Sequence, residues 1–401
     1  MKIEAQRWID RYLGVPILGA LSLFDRLRSP PRARPPTAIL IILLSEMGSM
    51  VCAQPMILDL QQRYPGVRLH VLLLRKNRGV VELLKLFDPD AVVTIDDRSL
   101  TAFLRSSWQA VRKLRRAKID VVIDCELFAR ISAIFSWLSG APVRVGFHRM
   151  TQEGLYRGSV VNRPVPYNPY RHISSQFLVL AGSIESVAVP VSKNAEVPER
   201  PSIKKLELSS ARVAEAGLRL KADFPALVGR RLVMLYPGSG ILPIRGWPIE
   251  RFKGCARALV EDGYAVAIIG LPEDSTLAEG IVAAAGSPHC VNLAGYTRSL
   301  ADLVELFHHA ELLISNDGGP GHFAALTPLP VISLFGPETP DLYAPLCERG
   351  IALYRRLPCS PCLTAYNHRN TPCDGNNVCL QSIELVDVIR AARQILQEDL
   401  K

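Results

Sequence analysis

The residues best suited to chemistry fall in a few short stretches. Asn316-Asp317-Gly318-Gly319-Pro320-Gly321-His322 joins an acid, an imidazole and three glycines. Gly318 and Gly319 let backbone amides approach an anion closely, and Pro320 suits an early helical position. Asp317 could accept a hydrogen bond from a ribose or sugar hydroxyl, and His322 could donate to a phosphate. Pro237-Gly238-Ser239-Gly240, with Arg245 shortly after, offers free N–H groups and a permanent positive charge, again suited to phosphate. Neither a GxGxxG fingerprint nor a GxxxxGK[ST] loop is present. In Ser45-Glu46-Met47-Gly48-Ser49 the only ionisable side chain is Glu46. It reads either as a general base or as a surface carboxylate stabilised by a helix dipole. Gly336-Pro337-Glu338-Thr339-Pro340 is another turn that would line a common rim with these loops. Cys359, Cys362, Cys373 and Cys379 crowd together with the spacing C-x2-C-x10-C-x5-C. They could form a structural, non-catalytic four-thiolate zinc site, form disulfides, or stay unlinked.

Most of these stretches directly follow short apolar runs. Ile39 to Leu44, Leu69 to Leu74, Ala91 to Ile95 and Val121 to Asp124 read as buried strands, with helical segments at Gln54 to Tyr64 and Leu100 to Lys118 between them. A second set runs through 232–236, 264–270, 311–315 and 330–335, with helices at Ile249 to Glu261 and Leu300 to Ala310. Buried strands alternating with helices imply βαβ units and parallel sheets. In such folds ligands bind beyond the carboxyl ends of the strands. The expected α/β organisation is an extension over 1–38, a Rossmann-like domain over 39–185 and a linker with one helix over 186–230. A second Rossmann-like domain over 231–382 and a terminal helix over 383–401 complete it.

The composition narrows the partners. The 401 residues are 48% hydrophobic and carry a formal charge of +9, which excludes a largely disordered chain and favours an anionic partner. Mean hydropathy is +0.16, yet the uncharged run Tyr12 to Phe24 is too short for a spanning helix, which needs about 20 residues. Flanked by Arg7, Arg11, Arg26, Arg28, Arg32 and Arg34, it reads either as an interfacial anchor or as a helix packed on the body. Arg105, Arg112, Lys113, Arg115, Arg116 and Lys118 form a basic helix face without interleaved aromatics of the nucleic-acid type. That face suits a solvated surface or an anionic acceptor, and nucleic acid is not an expected partner. Five further cysteines, Cys52, Cys125, Cys255, Cys290 and Cys347, are scattered in apolar or helical contexts, as in a reducing compartment.

Several segments together resemble glycosyltransferase family 9, the bacterial heptosyltransferases of lipopolysaccharide core assembly. They are SNDGGPGHFAA at 315–325, VISLFGPETP at 331–340, LYPGSG…RGWPIERF at 235–252 and NLAGYTRSLADL at 292–303. In the first half, 39–55 and 120–147 also fit. The resemblance implies a GT-B fold and inverting sugar transfer from a nucleotide diphosphate donor, ADP-heptose-like, with no metal required. It assigns the donor to Ser239, Gly240, Arg245, Glu273, Asp274, Asp317, Gly318, Gly319 and His322. Glu273 or Asp274 would meet the ribose, and Ser239 and Arg245 would oppose the charge of the leaving diphosphate. The acceptor, an anionic lipid-linked glycan such as lipopolysaccharide core, is assigned to the first domain, with Arg105 and Arg112 as candidate contacts. The implied location is cytoplasmic, peripheral on the inner face of the bacterial inner membrane. A Cys-rich insert is also common in the family at this place. One departure stands out: the family pattern SxxGD places its expected base where this chain has Ser49. Glu46, three residues earlier, is the natural substitute. The other readings are a catalytically silent nucleotide-sugar binder and a nucleotide-sugar epimerase.

Overall fold

The computed structural model describes residues 3–25, 27, 35–44, 46–148, 156–240, 242–371 and 373–398. Expectations resting on Ser45 and on Arg26, Arg28, Arg32 and Arg34 lie outside the described residues. The chain divides into two compact units, Met1–Pro201 and Ser202–Lys401.

The first unit is built on six parallel strands: β1 Ala38–Ile42, β2 Arg68–Leu74, β3 Val92–Ile95, β4 Val121–Asp124, β5 Val143–His148 and β6 Arg163–Pro166. Their order across the sheet is β3-β2-β1-β4-β5-β6. Its helices are α1 Ile3–Tyr12, α2 Gly14–Asp25, α3 Met47–Arg63, α4 Arg78–Leu84, α5 Leu100–Arg116, α6 Arg130–Leu138 and α7 Ile173–Gly182. Right-handed crossovers put α3 and α4 on one face and α5 and α6 on the other. With both faces covered, a central strand has no solvent side, which is why β1 reads as the unbroken apolar run AILII and is fully buried.

The second unit repeats the plan. Its strands are β7 Leu232–Tyr236, β8 Ala265–Gly270, β9 Cys290–Ala294, β10 Leu312–Asn316, β11 Val331–Phe335 and β12 Gly350–Tyr354, all parallel, in the order β12-β11-β10-β7-β8-β9. Its helices are α8 Ser210–Asp223, α9 Ile249–Glu261, α10 Ser275–Ala285, α11 Leu300–Phe307, α12 Gly319–Ala324, α13 Pro340–Tyr343, α14 Val378–Gln381 and α15 Leu385–Glu398. The helix expected in the linker, α8, thus lies in the second unit, and α15 packs Val388, Ala392 and Leu396 into the same core as Trp247 and Phe252.

In each sheet the winding direction reverses beside the first strand, between β1 and β4 and again between β7 and β10. Adjacent loops there leave the sheet in opposite directions and open a crevice, the preferred ligand position of doubly wound folds. The loops singled out from sequence follow β1, β7 and β10, so topology places them at these two points.

Candidate active site

In the second unit one buried side chain ties the two central loops together. Asn316, the last residue of β10, accepts from Trp247 N at 3.0 Å and donates through Nδ2 to the carbonyls of Pro237 (2.8 Å) and Gly238 (3.2 Å). With 1% of its surface exposed, its amide is fully committed to holding the turn after β7 against the turn after β10. Beside it, Arg245 closes the short turn Pro243–Arg245 and sets Nη1 3.3 Å from Asp317 Oδ2. Both side chains are largely buried, and Arg245 Nε has no hydrogen-bond partner among the described residues. An unsatisfied buried guanidinium N–H is costly unless an anion completes it.

Tyr236 lies under these loops. A Cβ on Gly238 would come within 2.8 Å of its ring, and one on Gly318 within 3.5 Å, so Gly238 in particular has no room for a side chain. Burial pushes the Tyr236 phenol up to about 12, with Asp274 and Glu273 adding to the rise and Arg245 opposing it. All three charges therefore act on this one phenol. Asp274 Oδ2 accepts from Leu271 N at 2.8 Å and so shapes the turn after β8, while Glu273 stays exposed. Ser239 is half-buried, and Gly240 sits at φ +59°, where a side chain would be strained. Pro320 lies in the first turn of α12, and His322 is buried within that helix.

The Cys-rich segment clamps this site from behind. Cys362 N and Leu363 N both donate to Pro337 O at 2.9 Å, and Asn377 Nδ2 donates to Ile244 O at 2.7 Å. One segment thereby braces both the turn after β11 and the residue preceding Arg245. Glu338 is buried, with Arg369 Nε of the same segment at 3.3 Å. The four-thiolate expectation does not fit this arrangement. Cys359 and Cys373 are exposed, Cys362 is partly buried and Cys379 is buried, and all are free thiols. Among the described residues no three His, Cys, Asp or Glu side chains gather as metal ligands.

In the first unit the exit of β1 is held from two sides. Leu44 N donates to Glu126 Oε1 at 2.6 Å, and Leu44 O accepts from Asn77 Nδ2 at 2.7 Å. Glu46 then occupies the N-cap position of α3 in extended backbone, but its carboxylate does not cap the helix. Instead it accepts from Ser49 Oγ at 3.3 Å. Beneath lies a buried ion pair between Asp124 and Arg157, the latter also donating to Ser132 Oγ (2.9 Å) and Phe147 O (2.9 Å). Burial raises the Asp124 carboxyl against the pull of Arg157. Asp124 Oδ1 accepts from Glu126 N at 3.1 Å and so sets the loop that carries Glu126.

The loops after β2 and β3 add a basic pair that the sequence reading missed. Asp96 holds Arg98 through Nη2 at 2.7 Å and Arg75 through Nη1 at 3.0 Å, leaving both guanidiniums more than half exposed. The hydrogen bonds from Arg98 pull the Asp96 carboxyl down to about 2. The available signal was position, since each residue follows a strand end. Arg105 and Arg112 instead lie on the exposed face of α5. Because α5 runs back along the sheet at about 1.5 Å per residue, Arg112 is carried well away from the strand ends.

The model of glycosyltransferase family 9 (heptosyltransferase) matches residues 107–371. The chain belongs to glycosyltransferase family 9. It is a glycosyltransferase with the GT-B fold. A lipooligosaccharide heptosyltransferase 2 of Haemophilus ducreyi is 25% identical over 320 residues, covering 79% of this chain and 88% of that one. Among solved structures, the Escherichia coli ADP-heptose lipopolysaccharide heptosyltransferase II superposes with a TM-score of 0.68 at 20% identity, covering 91% of this chain and 100% of the other. The E. coli heptosyltransferase WaaC, solved with ADP-2-deoxy-2-fluoro heptose, gives 0.59 at 17% identity over 89% and 99% of the two chains. The iron-containing dodecameric glycosyltransferase TibC of enterotoxigenic E. coli gives 0.51 at 15% identity over 92% and 78%. Within this family-9 enzyme the matched region spans Arg245, Asn316, Asp317 and the Cys362 end of the brace, and stops short of Cys373 and Asn377.

Proposed function

We propose that this enzyme transfers a heptose-like sugar from an ADP-linked donor to a lipopolysaccharide core acceptor, with inversion and without a divalent metal, on the cytoplasmic side of the inner membrane. The observation that carries the reading is the buried Arg245, paired to Asp317 and with its Nε unpartnered, fixed at the switch point by Asn316 and Asn377. A donor diphosphate there meets Arg245, the Ser239 hydroxyl and the backbone amides of Gly318, Gly319 and Gly321. Charge grows on the diphosphate as its bond to the anomeric carbon breaks, and fixed positive groups stabilise that state more than the ground state. Glu273 or Asp274, in the turn after the neighbouring strand β8, would take the ribose hydroxyls.

In the first unit Glu46 takes the proton from the acceptor hydroxyl as oxygen attacks the anomeric carbon. Ser49, a donor to Glu46, orients the carboxylate that stands in for the acid usual at position 49. Arg75 and Arg98, held at the strand ends by Asp96, are suited to an anionic acceptor and replace Arg105 and Arg112 in that role. The test is Glu46→Gln, assayed by single-turnover transfer with saturating donor and solubilised core acceptor. Turnover is expected to fall about 10²–10⁴-fold, with ADP binding kept and with no loss of wild-type activity in EDTA. Undiminished turnover removes Glu46 as base. Tight donor binding with no transfer by the wild type assigns a silent binding protein instead.

A further inference from the structure

The N-terminal pair α1–α2 combines two properties that are hard to reconcile in water. Its inner side is built tightly into the first unit. Asp10 supplies the cap that Ala129 cannot give to α6, accepting from Arg130 N at 2.9 Å and Ile131 N at 2.8 Å. Asp25 grips the buried Arg144 through both oxygens, at 2.7 and 2.8 Å. Gly14, Leu18 and Ser22 form the buried stripe of α2, and Leu18 packs on Ala133, Val160 and Val161. This segment is a structural part of the unit and not a loose tether.

Its outer side has the composition of a core but faces outward. From Leu13 through Phe24 there is no charged residue, and Leu13, Val15, Ile17, Leu23 and Phe24 are all exposed, the last two at 64% and 60%. Trp8 and Tyr12 extend the patch, their ring centroids 5.1 Å apart and both more than half exposed. Asp10 and Asp25 are turned inward onto arginines, whereas Arg11 is exposed and lies 5.6 Å from the Tyr12 ring. A second apolar row, Leu100, Leu104 and Trp108, is exposed on α5. It is bordered by Arg105 and Arg112, with the Arg112 guanidinium 4.4 Å over Trp108, so one exposed aromatic does sit among the bases that the sequence reading took to lack them. The contacts of α2 and α5 with α6 put both rows on the same face of the sheet. Aromatic rings and arginines framing aliphatic side chains match the boundary of an anionic bilayer. At 12 residues α2 is about 18 Å long, so it can lie along that boundary but not cross it.

We infer that the outer face of α1–α2, together with the Leu100/Leu104/Trp108 row of α5, docks on an anionic phospholipid surface. Asp10 and Asp25 act as the clamps that hold the docking helices rigid on the enzyme. This deepens the reading of a lipid-linked acceptor and rests on it for its purpose, but the docking itself requires no acceptor.

The full-length chain is sedimented with vesicles of phosphatidylglycerol and phosphatidylethanolamine, and separately with phosphatidylcholine vesicles. Partition at least tenfold stronger into the anionic vesicles is expected, weakening with salt, with tryptophan emission quenched by brominated phosphatidylglycerol. The double variant Leu23→Glu/Phe24→Glu should lose at least tenfold in partition at an unchanged melting temperature, because both positions are exposed. Trp8→Ala and Trp108→Ala should each weaken partition further and remove part of the quenching. Absence of wild-type partition at low salt overturns the proposal, as does equal partition by the double variant. A dimer that the double variant converts to monomer, with no vesicle binding, assigns the face to a second copy and also overturns it. Transfer to solubilised acceptor is measured in parallel and should persist in the double variant. Its absence in the wild type would strike the transferase reading and leave the docking result standing.

Discussion

At the residue scale, the proposed donor site turns on Arg245. Its charge is useful because the pair with Asp317 and the bracing of Ile244 fix where it sits, and preorganised charge costs no rearrangement during the reaction. Arg245→Ala is expected to lower kcat about 10²–10³-fold and to shrink the thermal shift produced by ADP. Arg245→Lys keeps a charge but loses the planar fork, and should recover only part of that activity. Steady-state kinetics with both variants checks this. Equal activity of wild type and Arg245→Ala would remove the residue from the donor site. Gln at position 46 and Ala at position 245 should differ in kind. The first spares donor binding and the second does not.

At the scale of elements, the site depends on how neighbouring strand exits are joined. Asn316 makes three hydrogen bonds across the β7 and β10 exits, and Leu44 is held by side chains from the loops after β2 and β4. Asn316→Ala leaves the Trp247 N–H and two carbonyls unpaired in a buried place, which costs about 1–3 kcal/mol for each group left without a partner. Urea unfolding should register that loss, and kcat should fall with it because the turn bearing Ser239 is released. A variant with full stability would show that the clasp is not needed. Four strands lay beyond the sequence reading, and each has a reason. β6 is the edge strand RPVP, where proline is tolerated because one side needs no donor. β12 is a half-exposed edge, β9 an edge only partly buried, and β5 interrupts its apolar run with Arg144 and Gly146. The strong central runs were legible because burial on both faces leaves no room for alternation.

At the scale of the whole molecule, the two units each carry their own six-stranded sheet and core, dividing after Pro201. All the residues proposed for the donor, from Ser239 to His322, belong to the second. A fragment spanning 202–401 is therefore expected to fold and to be stabilised by ADP, while transferring nothing without Glu46. Differential scanning fluorimetry with and without ADP checks it, since a ligand that binds only the folded state raises the melting temperature. A folded fragment with no ADP response would mean that the first unit contributes to donor binding.

The sequence by itself determined the doubly wound plan, the strand-end loops and the family motifs, because these are written in local periodicity and in contiguous residues. It also marked Glu46 and Arg245 as chemically apt, and Ser49 as the place where the family's usual acid is missing. Tertiary structure decided what those residues lean on. Asn316 holding Pro237, Asn377 holding Ile244, Glu126 holding Leu44 and Asp96 holding Arg75 all join positions distant in the chain. No local pattern encodes such pairs. The same holds for the N-terminal helices: the sequence left open whether they pack or anchor, and the fold shows one face doing the packing. Asp10 and Asp25 look like ordinary surface acids until α6 and β5 bring Arg130 and Arg144 to meet them.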